Sequence, residues 1–146
     1  MRAAKVNKDA ITALLKNNPD AKIIIMGDLN DNPTDNSIIN MLGANGEPGG
    51  VSQNGLYDPW INIYKKGEGT EEYRGEWNLF DQVIISGSFL QNKNHKLHFE
   101  KAAIFKPDFI IDHYKGHEGQ PHRSFVGTHW INGYSDHFPV ILYLGM

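Results

Sequence analysis

Apolar positions follow a helical period at the start of the chain and an alternating or continuous, strand-like pattern through most of the rest. Ala3, Val6, Ala10, Ile11, Leu14 and Leu15 recur near every 3.6 residues, and Arg2, Lys5, Asn7, Lys8, Asp9 and Thr12 fill the opposite face. This predicts an amphipathic helix from Met1 to Lys16, ended by Asn17-Asn18-Pro19. Lys22 to Gly27 is a continuous apolar run and reads as a strand buried on both faces. Pro33 with Thr34 or Asp35 signals a helix start, Ser37 to Leu42 a short helix, and Gly43 its close. The glycine-rich stretch from Ala44 to Gly55 reads as a mobile surface loop rather than a domain linker. Beyond Thr70, strands are expected over Tyr73 to Trp77, Leu79 to Ser86, Lys96 to Phe105 and Pro139 to Leu144, with a further short one over Phe109 to Tyr114. Lys115 to Arg123 is a polar, glycine- and proline-bearing loop.

These elements describe one α/β domain over residues 1–146, without internal repeats. A content of 40% hydrophobic and 21% charged residues suffices for a core, and no stretch is long enough for a transmembrane helix. The opening helix lacks the continuous apolar core of a signal peptide, so a soluble chain is expected, in a compartment that the sequence leaves open. Without cysteine there is no disulfide, thiol nucleophile or zinc–thiolate site. A formal charge of −3 excludes a globally basic nucleic-acid binder but leaves room for a local basic patch.

The candidate chemistry lies where predicted strands meet loops. Gly27-Asp28-Leu29-Asn30-Asp31-Asn32-Pro33 follows the first strand. If strand geometry persists, Asp28 and Asn30 point to the same side; an ordinary Asx turn is the other reading. Asp28, Asn30 and Asn32 match the opening of an EF-hand loop, but Pro33 and Ile39 stand where its glycine and bidentate glutamate belong. Asp81, within Leu79-Phe80-Asp81-Gln82-Val83, either faces solvent or, if buried, needs a partner such as a histidine. Ser135-Asp136-His137 precedes the last strand, and its two polar neighbours can share a site only if the backbone there is irregular. All seven histidines fall between His95 and His137. His122 and Arg123 are candidate phosphate contacts.

Taken in order, Gly27-Asp28-Leu29-Asn30, Leu79-Phe80-Asp81 and Ser135-Asp136-His137 resemble the signature segments of the endonuclease/exonuclease/phosphatase superfamily, which includes deoxyribonucleases, abasic-site endonucleases, inositol polyphosphate phosphatases and sphingomyelinases. The resemblance implies a metal-dependent phosphoesterase, in the first instance a nuclease-like phosphodiesterase. Asp28 would orient or deprotonate water, Asn30 would hold a phosphoryl oxygen, Asp81 would fix the tautomer of a catalytic His137, and Asp136 would help bind Mg²⁺, with Mn²⁺ as the alternative ion. Sphingomyelinase- or inositol-phosphatase-like chemistry, and a non-catalytic binding or assembly module, are the alternatives.

That superfamily builds a four-layer α/β/β/α sandwich from two similar halves, and the resemblance covers the second. The expected fold is therefore half of such a sandwich, a mostly antiparallel mixed sheet with helices on one face. The first half's asparagine, metal-binding glutamate and tyrosine or histidine have no counterpart in a matching context. Strands apolar on both faces then call for a partner on the open side, either the missing N-terminal half or a second copy of the chain.

Overall fold

The computed structural model describes residues 1–91 and 96–146, so His95 lies outside the described residues. Helix α1 (Arg2–Asn17) is followed by β1 (Ile24–Asp28) and a π-helical turn (Ser37–Leu42) that Gly43 closes at φ +78°. Next come β2 (Ala44–Asn45), a 3₁₀ turn (Pro48–Gly50), β3 (Leu56–Tyr57) and the short helix α2 (Trp60–Tyr64). A hairpin of β4 (Glu71–Tyr73) and β5 (Glu76–Asn78) leads into β6 (Asp81–Ser86) and a 3₁₀ turn (Gly87–Leu90). The rest comprises β7 (His98–Ile104), a 3₁₀ turn (Asp108–Ile110), a hairpin of β8 (Phe125–Val126) and β9 (His129–Trp130), and β10 (Val140–Gly145).

The main sheet has the order β1-β6-β3-β2, antiparallel except for the β2–β3 pair. Its two faces are covered differently because side chains alternate along a strand. Ile84 turns to one face, where Ile11 and Leu15 of α1 and Ile38 and Leu42 of the π-helical turn form a core that Ile23, Ile25 and Leu29 extend. Ile85 turns to the other and packs with Tyr57 and Phe89 against Phe99, Leu142 and Leu144 of the antiparallel β7–β10 ribbon. Both isoleucines are 0% exposed. Helices cover one sheet face, as expected; the β-ribbon on the other makes the fold mixed α/β with several small sheets.

Four sequence expectations change. Tyr73 to Trp77 is not one strand, because Arg74 and Gly75, both at positive φ, form the turn between β4 and β5. The segment from Ala44 to Gly55 is not simply a surface loop, because Ala44 is buried in the first core and β2 is a sheet strand. No strand spans Phe109 to Tyr114: Asp108–Ile110 turns as a 3₁₀ helix and only Ile111 forms an isolated bridge, to Pro121. Nor is β1 buried on both faces, since Ile24 and Met26 are 44% and 74% exposed. The ribbon packs on β6 and on the turn after it, and these side chains stand beyond its cover. The backbone of β1 is open as well. The N–H of Ser86 donates to Ile23 O (2.9 Å) and that of Leu29 to Phe80 O (2.9 Å). In an antiparallel pair this alternation turns the peptide groups of Ile24, Met26 and Asp28 away from β6, at the edge of the sheet. No helix among the described residues is long and apolar enough to cross a membrane.

Beneath the sheet, Asp58 is fully buried. Its Oδ1 accepts the N–H of Trp60 (2.9 Å), and its Oδ2 has no partner among the described residues. Burial pushes the carboxyl up to about 7, against the smaller downward pull of that hydrogen bond. A carboxyl raised on folding keeps a proton that the unfolded chain releases, so its contribution to stability falls as pH climbs from the ordinary carboxylate range to about 7. Urea unfolding of Asp58→Asn should therefore gain on the parent protein by on the order of 2 kcal/mol between about pH 5 and pH 8. An unchanged difference would show that Asp58 is not buried as described.

Candidate active site

The first motif is set by the end of β1. Gly27 has φ +147°, which side-chain-bearing residues rarely adopt, and Asn30 sits in the left-handed region at φ 51°. The strand stops at Asp28, whose Oδ1 accepts the N–H of Asn30 (3.0 Å). Asp28 and Asn30 are thus neighbours through an Asx turn; the period-two argument for their convergence fails because the strand does not continue.

Asp81 opens β6 directly opposite Asp28. The flanking Leu29–Phe80 pair is hydrogen-bonded, so Asp28 and Asp81 form the closer, non-hydrogen-bonded kind of pair with side chains on one face. Two facing carboxylates repel, and the structure surrounds the inner one with donors. His137 Nδ1 lies 2.7 Å from Asp81 Oδ2, and the hydroxyl of Thr70 donates to the same oxygen at 2.6 Å. Asp81 therefore belongs to the paired reading rather than the solvent-facing one. With Nδ1 taken up by the carboxylate, His137 has Nε2 left for other chemistry. Burial alone would lower the His137 pKa, but the Asp81 hydrogen bond, its charge, and the charges of Asp136 and Glu71 raise it overall.

Thr70 ties this pair to the fold. It is fully buried, its N–H donates to Asn78 O (2.7 Å), and its carbonyl accepts the N–H of Phe138 (2.8 Å). Phe138 in turn is buried and stacks on Trp77, with centroids 6.1 Å apart, beneath the Lys106 ammonium. Asp136 and His137 precede β10 rather than lying in it, so the irregular backbone they need is present. The first and second motifs are joined as well. Asn32 Oδ1 accepts the N–H of Leu79 (2.8 Å), and the Gln82 amide, fully buried, donates to Asp31 O (2.7 Å) and Leu79 O (3.1 Å).

The exposed Asp136 lines an open pocket of about 300 Å³ with Arg123, Ser124 and Phe125. Two segments distant in sequence meet there. Tyr134 N–H donates to His122 O (2.7 Å), Ser124 Oγ donates to Tyr134 O (3.0 Å), and a Cβ on Gly133 would fall 2.2 Å from Arg123 O. Arg123 is thereby brought beside Asp136. The His122 ring goes elsewhere, to 3.7 Å from the buried Asp112 carboxylate and against Tyr114.

Thr70, Gln82, Ser124 and Phe125 were not singled out from the sequence, and Asn32 only within the EF-hand match that Pro33 and Ile39 break. Thr70, Asn32 and Gln82 act through tertiary hydrogen bonds, which leave no periodic trace. For Phe125 a signal exists: Val126-Gly127-Thr128-His129 has glycine at the first turn position between β-formers, a hairpin pattern.

No group of three or more His, Asp or Glu side chains among the described residues is placed to hold a metal ion. Asp136 is a suitable hard ligand, but these residues do not by themselves form a complete donor set for Mg²⁺ or Mn²⁺. The arrangement brings a histidine and two facing carboxylates together, with Arg123 in the pocket that Asp136 lines.

No curated protein and no solved structure was found to match the chain. The family profile described as "Endonuclease/Exonuclease/phosphatase family" matches residues 1–146. The chain therefore belongs to the endonuclease/exonuclease/phosphatase family, whose members are typically metal-dependent hydrolases of phosphoesters.

Proposed function

We propose that this chain carries the proton-handling part of a phosphodiesterase site and acts, nuclease-like, on phosphodiesters in the presence of Mg²⁺. The observation that carries this reading is the 2.7 Å contact between His137 Nδ1 and Asp81, braced by Thr70 and faced across the β1–β6 pair by Asp28. Asp28 takes a proton from the attacking water as the new O–P bond forms. Asn30 donates to a phosphoryl oxygen, and the bond from phosphorus to the leaving oxygen breaks. His137, whose pKa Asp81 helps raise so that the ring takes up a second proton, gives the Nε2 proton to that leaving oxygen and returns to the neutral form protonated at Nδ1. Asp136 offers one oxygen ligand to a divalent cation, Arg123 is a fixed countercharge for phosphate, and His122 serves Arg123 by positioning the loop.

The reading extends to assembly. The Ile24 and Met26 side chains and the unpaired edge of β1 lie on the same strand as Asp28. We assign this surface to a covering partner, a missing N-terminal half or a second copy, which would also supply metal ligands that the described residues lack.

Nicking of supercoiled plasmid in Mg²⁺ by the chain should fall by roughly 10²-fold or more in His137→Ala and by a comparable factor in Asp81→Asn. Thr70→Val, which leaves both partners in place, should cost less, on the order of tenfold. Activity unaffected by His137→Ala would overturn the catalytic assignment. On the assembly side, light scattering should show self-association, or an apolar dye should bind the monomer, and Met26→Lys should weaken either signal. A dye-silent monomer would contradict the need for a partner.

A further inference from the structure

Apart from Phe125, which lines the Asp136 pocket, the β8–β9 hairpin has no role in the site as described, yet it carries some of the most exposed aromatic surface among the described residues. Phe125 and Trp130 are direct cross-strand partners, so they stand on one face of the hairpin; Val126 and His129 pair on the other. Phe125 is 55% and Trp130 68% exposed. Phe125 lines the pocket that holds Arg123 and Asp136, and Asp136 adjoins His137. A large apolar pair is thus presented to solvent at the edge of a charged pocket, beside the histidine of the phosphoesterase reading. Such exposure on a short hairpin carries a cost in hydration that a structural role would avoid by burying the rings.

We propose that Phe125 and Trp130 form a stacking platform for nucleobases of a single-stranded nucleic acid whose phosphate enters the pocket at Arg123, an inference that deepens the phosphodiesterase reading and rests on it. The chemistry of the pocket selects this occupant. Arg123 fits a phosphate, Asp136 opposes any excess of bare negative charge, and the flat aromatic faces add a contribution that only a planar group can use. An extended strand offers phosphate and planar base in alternation, and a duplex hides its base faces. A lipid surface fits less well. The hairpin turn is Gly127-Thr128, flanked by the Val126–His129 pair, so Val126 is the one apolar side chain next to the end that would enter a bilayer first, and the paired rings stand one residue further back.

Equilibrium binding tests this without turnover. Binding of a short single-stranded oligonucleotide is compared with that of an abasic strand of the same length and charge, at fixed salt, following Trp fluorescence and anisotropy of an end label. The base-bearing strand should bind at least about tenfold more tightly, with quenching of Trp130. Trp130→Leu, which keeps apolar bulk but removes the indole face, and Phe125→Leu should each erase most of that preference while leaving abasic-strand binding and the unfolding midpoint unchanged. Equal affinity for base-bearing and abasic strands overturns the platform. So does a preference for phosphatidylcholine vesicles that disappears in Trp130→Leu, because the hairpin would then be a membrane contact. The phosphodiesterase reading fails on a different result, the loss of any dependence of hydrolysis on His137, so the two are separately decided.

Discussion

One oxygen of Asp81 holds the candidate site together. It accepts both the Thr70 hydroxyl and the His137 ring nitrogen. A half-buried carboxylate placed across from Asp28 would be unfavourable without such donors, and each donor comes from a different part of the chain. Thr70 precedes the β4–β5 hairpin, and His137 leads into β10. Through its backbone, Thr70 also fixes Asn78 and Phe138, so the carboxylate's surroundings are set by the same residue that registers the hairpin and the last strand. The stacked Trp77–Phe138 pair beneath Lys106 then limits how far the His137 segment can move. Substitution at Thr70 therefore acts on position, whereas substitution at Asp81 acts on the protonation of His137.

Periodic features of the fold were legible in the sequence, and features made by single tertiary contacts were not. The helical apolar period of α1, the apolar run of β1 and the strand patterns of β6, β7 and β10 all appear near their expected positions. The three polar motifs were also readable, and the structure brings Asp28, Asp81 and His137 to one place by pairing β1 with β6 and docking His137 on Asp81. What failed was geometry that depends on a local break: Asn30 leaves the strand for a left-handed turn, and Asp108–Ile110 forms a 3₁₀ turn where a short strand was expected over Phe109 to Tyr114. Thr70 was invisible because a threonine hydroxyl carries no pattern until the carboxylate it meets is known.

The uncovered face of β1 bears on the same site. Ile24, Met26 and Asp28 share one side of the strand, so the apolar surface left open continues into the catalytic candidates. A partner laid on that surface would shield Asp28 and exclude water from the facing carboxylates, strengthening each polar interaction there. Core completion and site completion would then be one event, which would account for a chain that holds its candidate His137–Asp81 pair in place while no group of three or more His, Asp or Glu among the described residues is placed to hold a metal ion.

The central claim is that Asp81 holds His137 through Nδ1. Nitrogen-15 NMR of the His137 ring reads this directly. The account predicts a neutral form protonated at Nδ1, with a deshielded Nδ1 proton that disappears in Asp81→Asn, and a pKa above that of an ordinary histidine. A His137 ring that titrates as a free imidazole, with the proton on Nε2 and no response to Asp81→Asn, would contradict it.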